Sequence, residues 1–340
     1  MKNYYSLLHQ VLQYGNHIDN DRTSVGTLSL FGQQLTFDLQ NNQFPLLSGK
    51  YTSFKLIAGE LLWMLSGSTN NEDLAKICNL KENQDTIWKE WAVYDNNHSG
   101  ELGPIYGHQW RSWKTPNGQT IDQIEQVIQS LIERPASRRH IVSAWNVADL
   151  PDETQSPHNN VLNGKMALAP CHCFFQFYTS QIPTIERARL TNDTEYVDMV
   201  RDRLSKCSSV VLKTEEYIIN MDLDERNIPR YALSCQLYQR SSDLFLGLPY
   251  NIASYSLLTY MIAHITNMIP HTFIWTGGDC HIYKNHIEQV TELLSRDTYN
   301  LSDPKLYITN TVNNINDFKL SDFNVVNYNP LGKISAPVAV

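Results

Sequence analysis

The 340-residue chain has no internal repeat with a period of about 20–50 residues and no low-complexity tract, which argues against solenoids, propellers and long linkers. It is also short of cysteine. Cys78, Cys171, Cys173, Cys207, Cys235 and Cys280 are irregularly placed, a pattern that suits reduced thiols and a cytosolic address better than a disulfide framework. Positive charge is scarce: the formal net charge of −8 argues against general affinity for nucleic-acid backbones, which rests on clustered Lys and Arg displacing counterions. Any anionic partner therefore needs a local basic cluster. The opening "MKNYYSLLHQVLQYG" lacks the basic, apolar, small-residue order of a signal peptide and reads as a short amphipathic helix. The longest apolar run, residues 252–270, contains His264 and Asn267 and ends at Pro270, so a buried helix is expected rather than a membrane span.

With 42% hydrophobic and 18% charged residues the chain is expected to fold into a soluble protein with a large core. "FKLIAGELLWMLSG" (54–67) reads as a helix apolar nearly all round and stopped by Gly67. "HIVSAWNV" (140–147), "CHCFFQFY" (171–178) and "YALSCQLYQR" (231–240) are rich in aromatic and β-branched residues and read as strands. Strands flanked by buried helices point to an α+β layer arrangement. Two segments look like additions: residues 151–164, a polar surface loop by composition, and residues 181–230, a helical excursion. Within the second, Asn192 or Asp193 could cap a helix that aligns Val197, Val200 and Leu204.

Strand alternation would put Cys171 and Cys173 on one face and His172 on the other. No second cysteine or histidine pair completes a tetrahedral metal site, so the pair is either inert core thiol or a nucleophile beside a bystander. A nucleophilic thiol needs nearby cations, and Arg22, Arg138, Arg139 and Arg240 sit in turn-like polar stretches, where they could equally be surface arginines. Glu60 falls between Leu56, Trp63 and Met64 on its helix, which predicts a partly desolvated carboxyl with a raised pKa. Residues 87–113 read as a Gly/Asn-rich loop carrying Trp88, Trp91, Tyr106, Trp110 and Trp113, which could stack on a flat ring or anchor the core.

Eight ordered segments, "DRTSVGT", "GELLWML", "GPIYGHQWR", "SRRHIVSAWN", "MALAPCHCFFQFY", "LSCQLYQRSSDLFLGLPYNIASY", "WTGGDCHIYKNH" and "APVAV", make the sequence similar to the bacterial-type, folate-dependent thymidylate synthase family. The resemblance spans nearly the whole chain apart from the two additions. It implies one catalytic domain over residues 1–340, with a large mixed sheet layered with long buried helices and one sheet face forming a homodimer interface. It also implies reductive methylation of dUMP to dTMP with 5,10-methylenetetrahydrofolate as co-substrate and no metal.

By the same resemblance Cys171 is the nucleophile that adds to uracil carbon 6, and Asn251 bonds the pyrimidine edge. Glu60 moves protons through water, and Tyr106 helps remove the carbon 5 proton. Arg22, Arg240 and Ser241 bind the 5′-phosphate together with Arg138 and Arg139 of a second subunit. His281 and Tyr283 hold the sugar hydroxyl, and Gln239 and Ser242 line the nucleotide pocket. On the folate side stand Trp88, Trp91, Asp243, Leu246, Gly247 and Tyr250, with Lys50 toward the glutamate tail and Ser53 and Ala339 nearby.

The chain departs from the family pattern at Ser48-Gly49-Lys50-Tyr51, where Thr-Thr-Lys-Arg is usual, and the lost basic residue is one that helps anchor the C-terminal carboxylate. Ser53 stands where some bacterial members carry histidine, and residues 151–164 and 181–230 have no counterpart in the shorter bacterial pattern. Two alternatives accompany this reading. A nucleotide hydroxymethylase of the same superfamily is disfavoured by Asn251 and by the "APVAV" tail; a non-catalytic nucleotide- or RNA-binding regulator is disfavoured by the retained Cys171 and Glu60.

Overall fold

A computed structural model describes residues 1–19, 25–81 and 84–338. Its centre is a six-stranded sheet in the order Asn16–Ile18, Thr27–Asp38, Ile269–Tyr283, Tyr231–Asp243, His172–Gln181, Ile141–Ser143. All neighbours are antiparallel except Tyr231–Asp243 and Ile269–Tyr283, which run parallel. A parallel pair needs a crossover, and the helix Gly247–Ile265 supplies it. With helices packed on one face of this mixed sheet, the architecture is α+β, as the sequence indicates.

The crossover helix is buried almost all round, and its hydroxyls solve their own desolvation problem. Ser256 Oγ donates to the Ile252 carbonyl (2.7 Å) and Thr259 Oγ1 to that of Tyr255 (2.8 Å). The helix begins earlier and ends sooner than the apolar run suggests, because Asn267, at φ 50, turns the chain and Ile269 already enters the next strand. Among the described residues no helix is long and apolar enough to cross a membrane. Helix Phe54–Leu65 is capped by Ser53, whose side chain accepts from Leu56 N, and is followed by Gly67 at φ 79, a backbone state that suits glycine.

Three expectations are corrected. Residues 87–113 contain the helix Tyr106–Ser112, whose aromatic side chains Tyr106 and Trp110 are core. Residues 151–164 contain the helix Pro157–Leu162, entered through Ser156 as cap and Pro157 as its first residue, with Asn160 buried and bonded to the Asp152 backbone. Strict alternation also fails at the cysteine pair, because a register shift between His172 and Phe174 turns the His172 ring toward Tyr106 and Tyr255, on the helix-covered side.

Residues 181–230 form three helices, Thr184–Arg189, Thr194–Ser205 and Ser209–Glu225, around a small core of Ala188, Tyr196, Val197, Val200, Ile219 and Leu223. Asp193 caps the middle helix, accepting from Tyr196 N. Arg187 is fully buried there and saturated: it donates to the Pro229 and Ile228 carbonyls, to Asn220 and to Asp224 Oδ1 (2.7 Å). The excursion leaves and rejoins the sheet at paired positions, Gln181 opposite Tyr231.

Candidate active site

Cys171 ends the turn that leads into strand His172–Gln181, and both of its backbone groups are pinned. Its N–H donates to Tyr106 Oη (2.8 Å), and its carbonyl accepts from Arg240 N (2.9 Å). The Arg240 guanidinium grips the same turn, Nε on the Pro170 carbonyl and Nη2 on that of Ala169 (both 2.9 Å). Among the described residues its Nη1 has no hydrogen-bond partner, so one arm of a cation that braces the cysteine turn is left to meet an anion. The close approach of the next strand requires Gly278, where a Cβ would stand 2.7 Å from the Arg240 carbonyl oxygen.

Burial separates the six thiols. It pushes Cys78 up to about 11, Cys235 and Cys280 up to about 12, and raises Cys173, so these four stay protonated and inert. Cys171 and Cys207 are the two that are partly exposed; Cys207 Sγ donates to the Arg203 carbonyl within the excursion, remote from Arg240. No cysteine is in a disulfide. Among the described residues no three His, Cys, Asp or Glu side chains are gathered as a metal site.

A polar chain fixes the amide of Asn251. Trp275 Nε1 can only donate, and does so to Gln239 Oε1 (2.9 Å); Gln239 Nε2 therefore faces Asn251, donating to its Oδ1 (3.0 Å). The Asn251 amide is thus locked against a flip. Uracil and cytosine present opposite donor and acceptor order at positions 3 and 4, so a locked amide discriminates between them.

His172 joins this chain through a hydrogen bond to the Asn251 side chain, and its buried Nδ1 has no partner among the described residues. Burial pushes the imidazole down to about 4, offset in part by Asn251. A histidine pKa lowered on folding contributes stability that is present above the ordinary value of 6.5 and is lost as pH falls toward 4. The loss should reach roughly 3 kcal/mol. Urea unfolding at pH 7 and pH 4.5 checks this, since a His172→Gln chain should lose less of its stability between the two pH values than the wild type.

Glu60, on helix Phe54–Leu65, is linked to the Cys171 turn through Trp88 and Tyr106. Its Oε1 accepts from Trp88 Nε1 (2.7 Å), and burial raises its carboxyl above the ordinary range, with the Trp88 bond pulling partly back. Trp88 stands edge-on to Trp91 and to Tyr106, with ring centroids 6.2 and 5.9 Å away. Burial, then the neighbouring Cys171, holds the Tyr106 phenol well above its usual pKa, so it remains a phenol able to relay a proton rather than a standing phenolate.

Asp243 Oδ1 accepts from Phe245 N (2.9 Å) and Leu246 N (3.1 Å), and among the described residues no hydrogen bond to Oδ2 is shown. Gly247 lies between Asp243 and Asn251: a Cβ there would be 3.8 Å from each side chain. Tyr250 bonds the Ser53 backbone. The Trp88–Trp91 indole wall and a carboxylate oxygen in reserve on Asp243 are each a kind of group that suits a flat, hydrogen-bonding ring such as a pterin.

The remaining expected residues are placed as follows. Lys50 is 4% exposed, donates to the Phe245 carbonyl (2.9 Å), sits 4.0 Å above that residue's ring, and burial pushes it down to about 8. Ser242 points into the core, its Oγ buried without a partner among the described residues, whereas Ser241 is partly exposed. His281 is buried beside Tyr283 (5.0 Å between rings), with Nδ1 3.4 Å from Asp279 Oδ1. Arg138 and Arg139 are exposed where the chain enters strand Ile141–Ser143, and among the described residues neither is in an ion pair. Arg22 and Ala339 lie outside the described residues. Sequence reasoning missed Trp275 as the anchor of the amide chain, although it heads the quoted "WTGGDCHIY" segment.

The cysteine turn, the locked amide and the indole wall all lie within residues that one family model, described as thymidylate synthase, matches continuously from residue 2 to residue 340. A match over essentially the full length shows that the chain belongs to the thymidylate synthase family.

Proposed function

We propose that the protein converts dUMP to dTMP by reductive methylation, releasing dihydrofolate, with Cys171 as the covalent nucleophile. The observation that carries this reading is the pinned Cys171 turn braced by Arg240, whose Nη1 has no hydrogen-bond partner among the described residues and can meet an anion. Membership of a family whose chemistry is folate-dependent supports it. 5,10-Methylenetetrahydrofolate, when bound, supplies the one-carbon unit and the hydride. The Cys171 thiolate adds to carbon 6 of the uracil ring, and the electron pair released makes carbon 5 nucleophilic, with negative charge on the position-4 oxygen. The Asn251 amide hydrogen-bonds that edge as the charge develops. Glu60 exchanges protons through water, and Tyr106 accepts help from its backbone partners in moving the carbon 5 proton; Cys171 leaves again when the product forms.

Mass spectrometry of the product, with a dihydrofolate readout, tests the reading. Thymidylate and dihydrofolate in equal amounts support it. A hydroxymethyl product without dihydrofolate would assign the chain to the hydroxymethylase branch, and no turnover would leave only the nucleotide-binding alternative.

The same reading makes the protein a homodimer in which Arg138 and Arg139, exposed and away from their own Cys171 turn, serve the partner's phosphate. Mixing Cys171→Ala and Arg139→Ala chains, each inactive or weak alone, is then expected to restore activity through one intact hybrid site, up to about a quarter of wild type for random pairing. No gain after proven subunit exchange would rule out shared sites.

A further inference from the structure

The C-terminal segment is fastened to the body at successive points. Tyr328 Oη accepts from Thr52 N (2.8 Å), Leu331 N donates to the Ser48 carbonyl (2.8 Å), and Arg296 Nη1 bridges the Gly49 and Gly332 carbonyls (2.9 and 2.6 Å). The last fastening is different, because it is made by a fully buried imidazole. His286 Nε2 lies 2.7 Å from the Pro337 carbonyl oxygen. A carbonyl only accepts, so Nε2 carries the hydrogen. The other nitrogen, Nδ1, is buried without a hydrogen-bond partner among the described residues and faces Asp243 Oδ1 at 3.9 Å. Phe245 and Tyr283 flank the ring at 5.7 and 5.5 Å between centroids, which fixes its plane.

We infer that His286 is a positioning residue that holds the C-terminal segment and Asp243 in register, so that seating of the tail and orientation of the folate-side carboxylate are one event. The imidazole touches Pro337 with one nitrogen and faces the carboxylate with the other. No other side chain among the described residues is shown bonding the backbone beyond Gly332. The kinetic part of this inference rests on the proposed function; the tail contact does not.

Two substitutions separate the two nitrogens. Glutamine at this position places an amide N–H where Nε2 was and keeps the tail contact, whereas asparagine reaches only the Nδ1 position. Carboxypeptidase digestion of ligand-free protein, followed by mass, reads tail seating without any reaction. His286→Asn is expected to speed release of the terminal residues about five- to tenfold and His286→Gln to stay near wild type, the range expected for one lost hydrogen bond. The folate KM should rise in the same order while the dissociation constant for dUMP alone stays unchanged. Equal digestion of the glutamine, asparagine and wild-type proteins overturns the inference, and so does a glutamine variant as labile as the asparagine one. Should both variants unfold, histidine-selective nitrogen NMR of the wild-type protein decides: trimming the tail past Pro337 must shift the His286 Nε2 signal, and an unmoved signal overturns the inference. Digestion results that hold in a chain lacking methylation activity would sink the proposed reaction and leave the latch standing.

Discussion

On the proposed reaction, a Cys171→Ser chain is expected to fold, to bind dUMP and to turn over at least roughly 10⁴-fold more slowly than wild type. The contacts that shape the turn are made by the main chain of residue 171, to Tyr106 Oη and from Arg240 N, so exchanging sulfur for oxygen leaves them in place. What changes is the nucleophile. A hydroxyl keeps its proton far above neutral pH, where a thiol ionises readily, and the groups shown holding the main chain of this turn are a phenol and a guanidinium. Dihydrofolate release, equilibrium dUMP binding and the unfolding midpoint together check the expectation. Residual turnover within tenfold of wild type would show that carbon 6 is activated without a covalent bond. Incubation with a fluorinated dUMP analogue and folate gives the complementary result: a stable adduct on Cys171 in wild type and none in the serine chain.

Glu60→Gln is expected to lower kcat by about 10²- to 10³-fold, the scale of a lost general acid–base group. The Trp88 bond survives, since a glutamine oxygen can accept from Nε1, so the loss belongs to proton transfer and not to packing. Wild-type pH–rate profiles should show an ionisation displaced upward from the ordinary carboxylate range, absent from the glutamine chain. Stability should move the other way. A carboxyl whose pKa is raised on folding contributes stability that is present below its unfolded pKa and is lost as pH rises through the folded value. At pH 7 the glutamine chain is therefore expected to melt higher than wild type while working far more slowly, and a lower melting temperature would show that the carboxylate is compensated by something other than Trp88.

Legibility in the sequence followed the range of the interactions. Helix Phe54–Leu65, the strands around Cys171 and Arg240, and the Asp193 cap are written in local pattern, and their boundaries agree within a few residues. The Ser156-Pro157 helix start was equally local, but polar composition masked it. Helix Ser209–Glu225 was not legible: it buries only Ile219 and Leu223 in its small core and exposes Val210, Tyr217 and Met221, so no single apolar stripe marks it. The long strand Ile269–Tyr283 was hidden by Gly277 and Gly278, which interrupt its alternation: the first leaves room for the Trp275 ring of the same strand, the second lets the Arg240 backbone approach.

At the site, residue types announced themselves while their partners did not. Trp275, Gln239, Asn251 and His172 span a hundred residues of chain, and nothing in their spacing shows that one orients the next. The burial of Lys50 against Phe245 depends on a contact across 195 positions, which no local pattern shows. Glu60 was the exception: its anomaly on an apolar helix was visible locally, and burial duly raises it.

Because Gln181 and Tyr231 face each other across one rung of the ladder, and Ile182 N also bonds the Arg230 carbonyl at 3.0 Å, the three-helix excursion enters and exits through a gap no wider than an ordinary hairpin tip. Evolution could graft or shed such a module without re-registering the sheet, since chain closure there grows only with the logarithm of the inserted length. The same doorway is a natural place for an engineer to splice in a reporter domain.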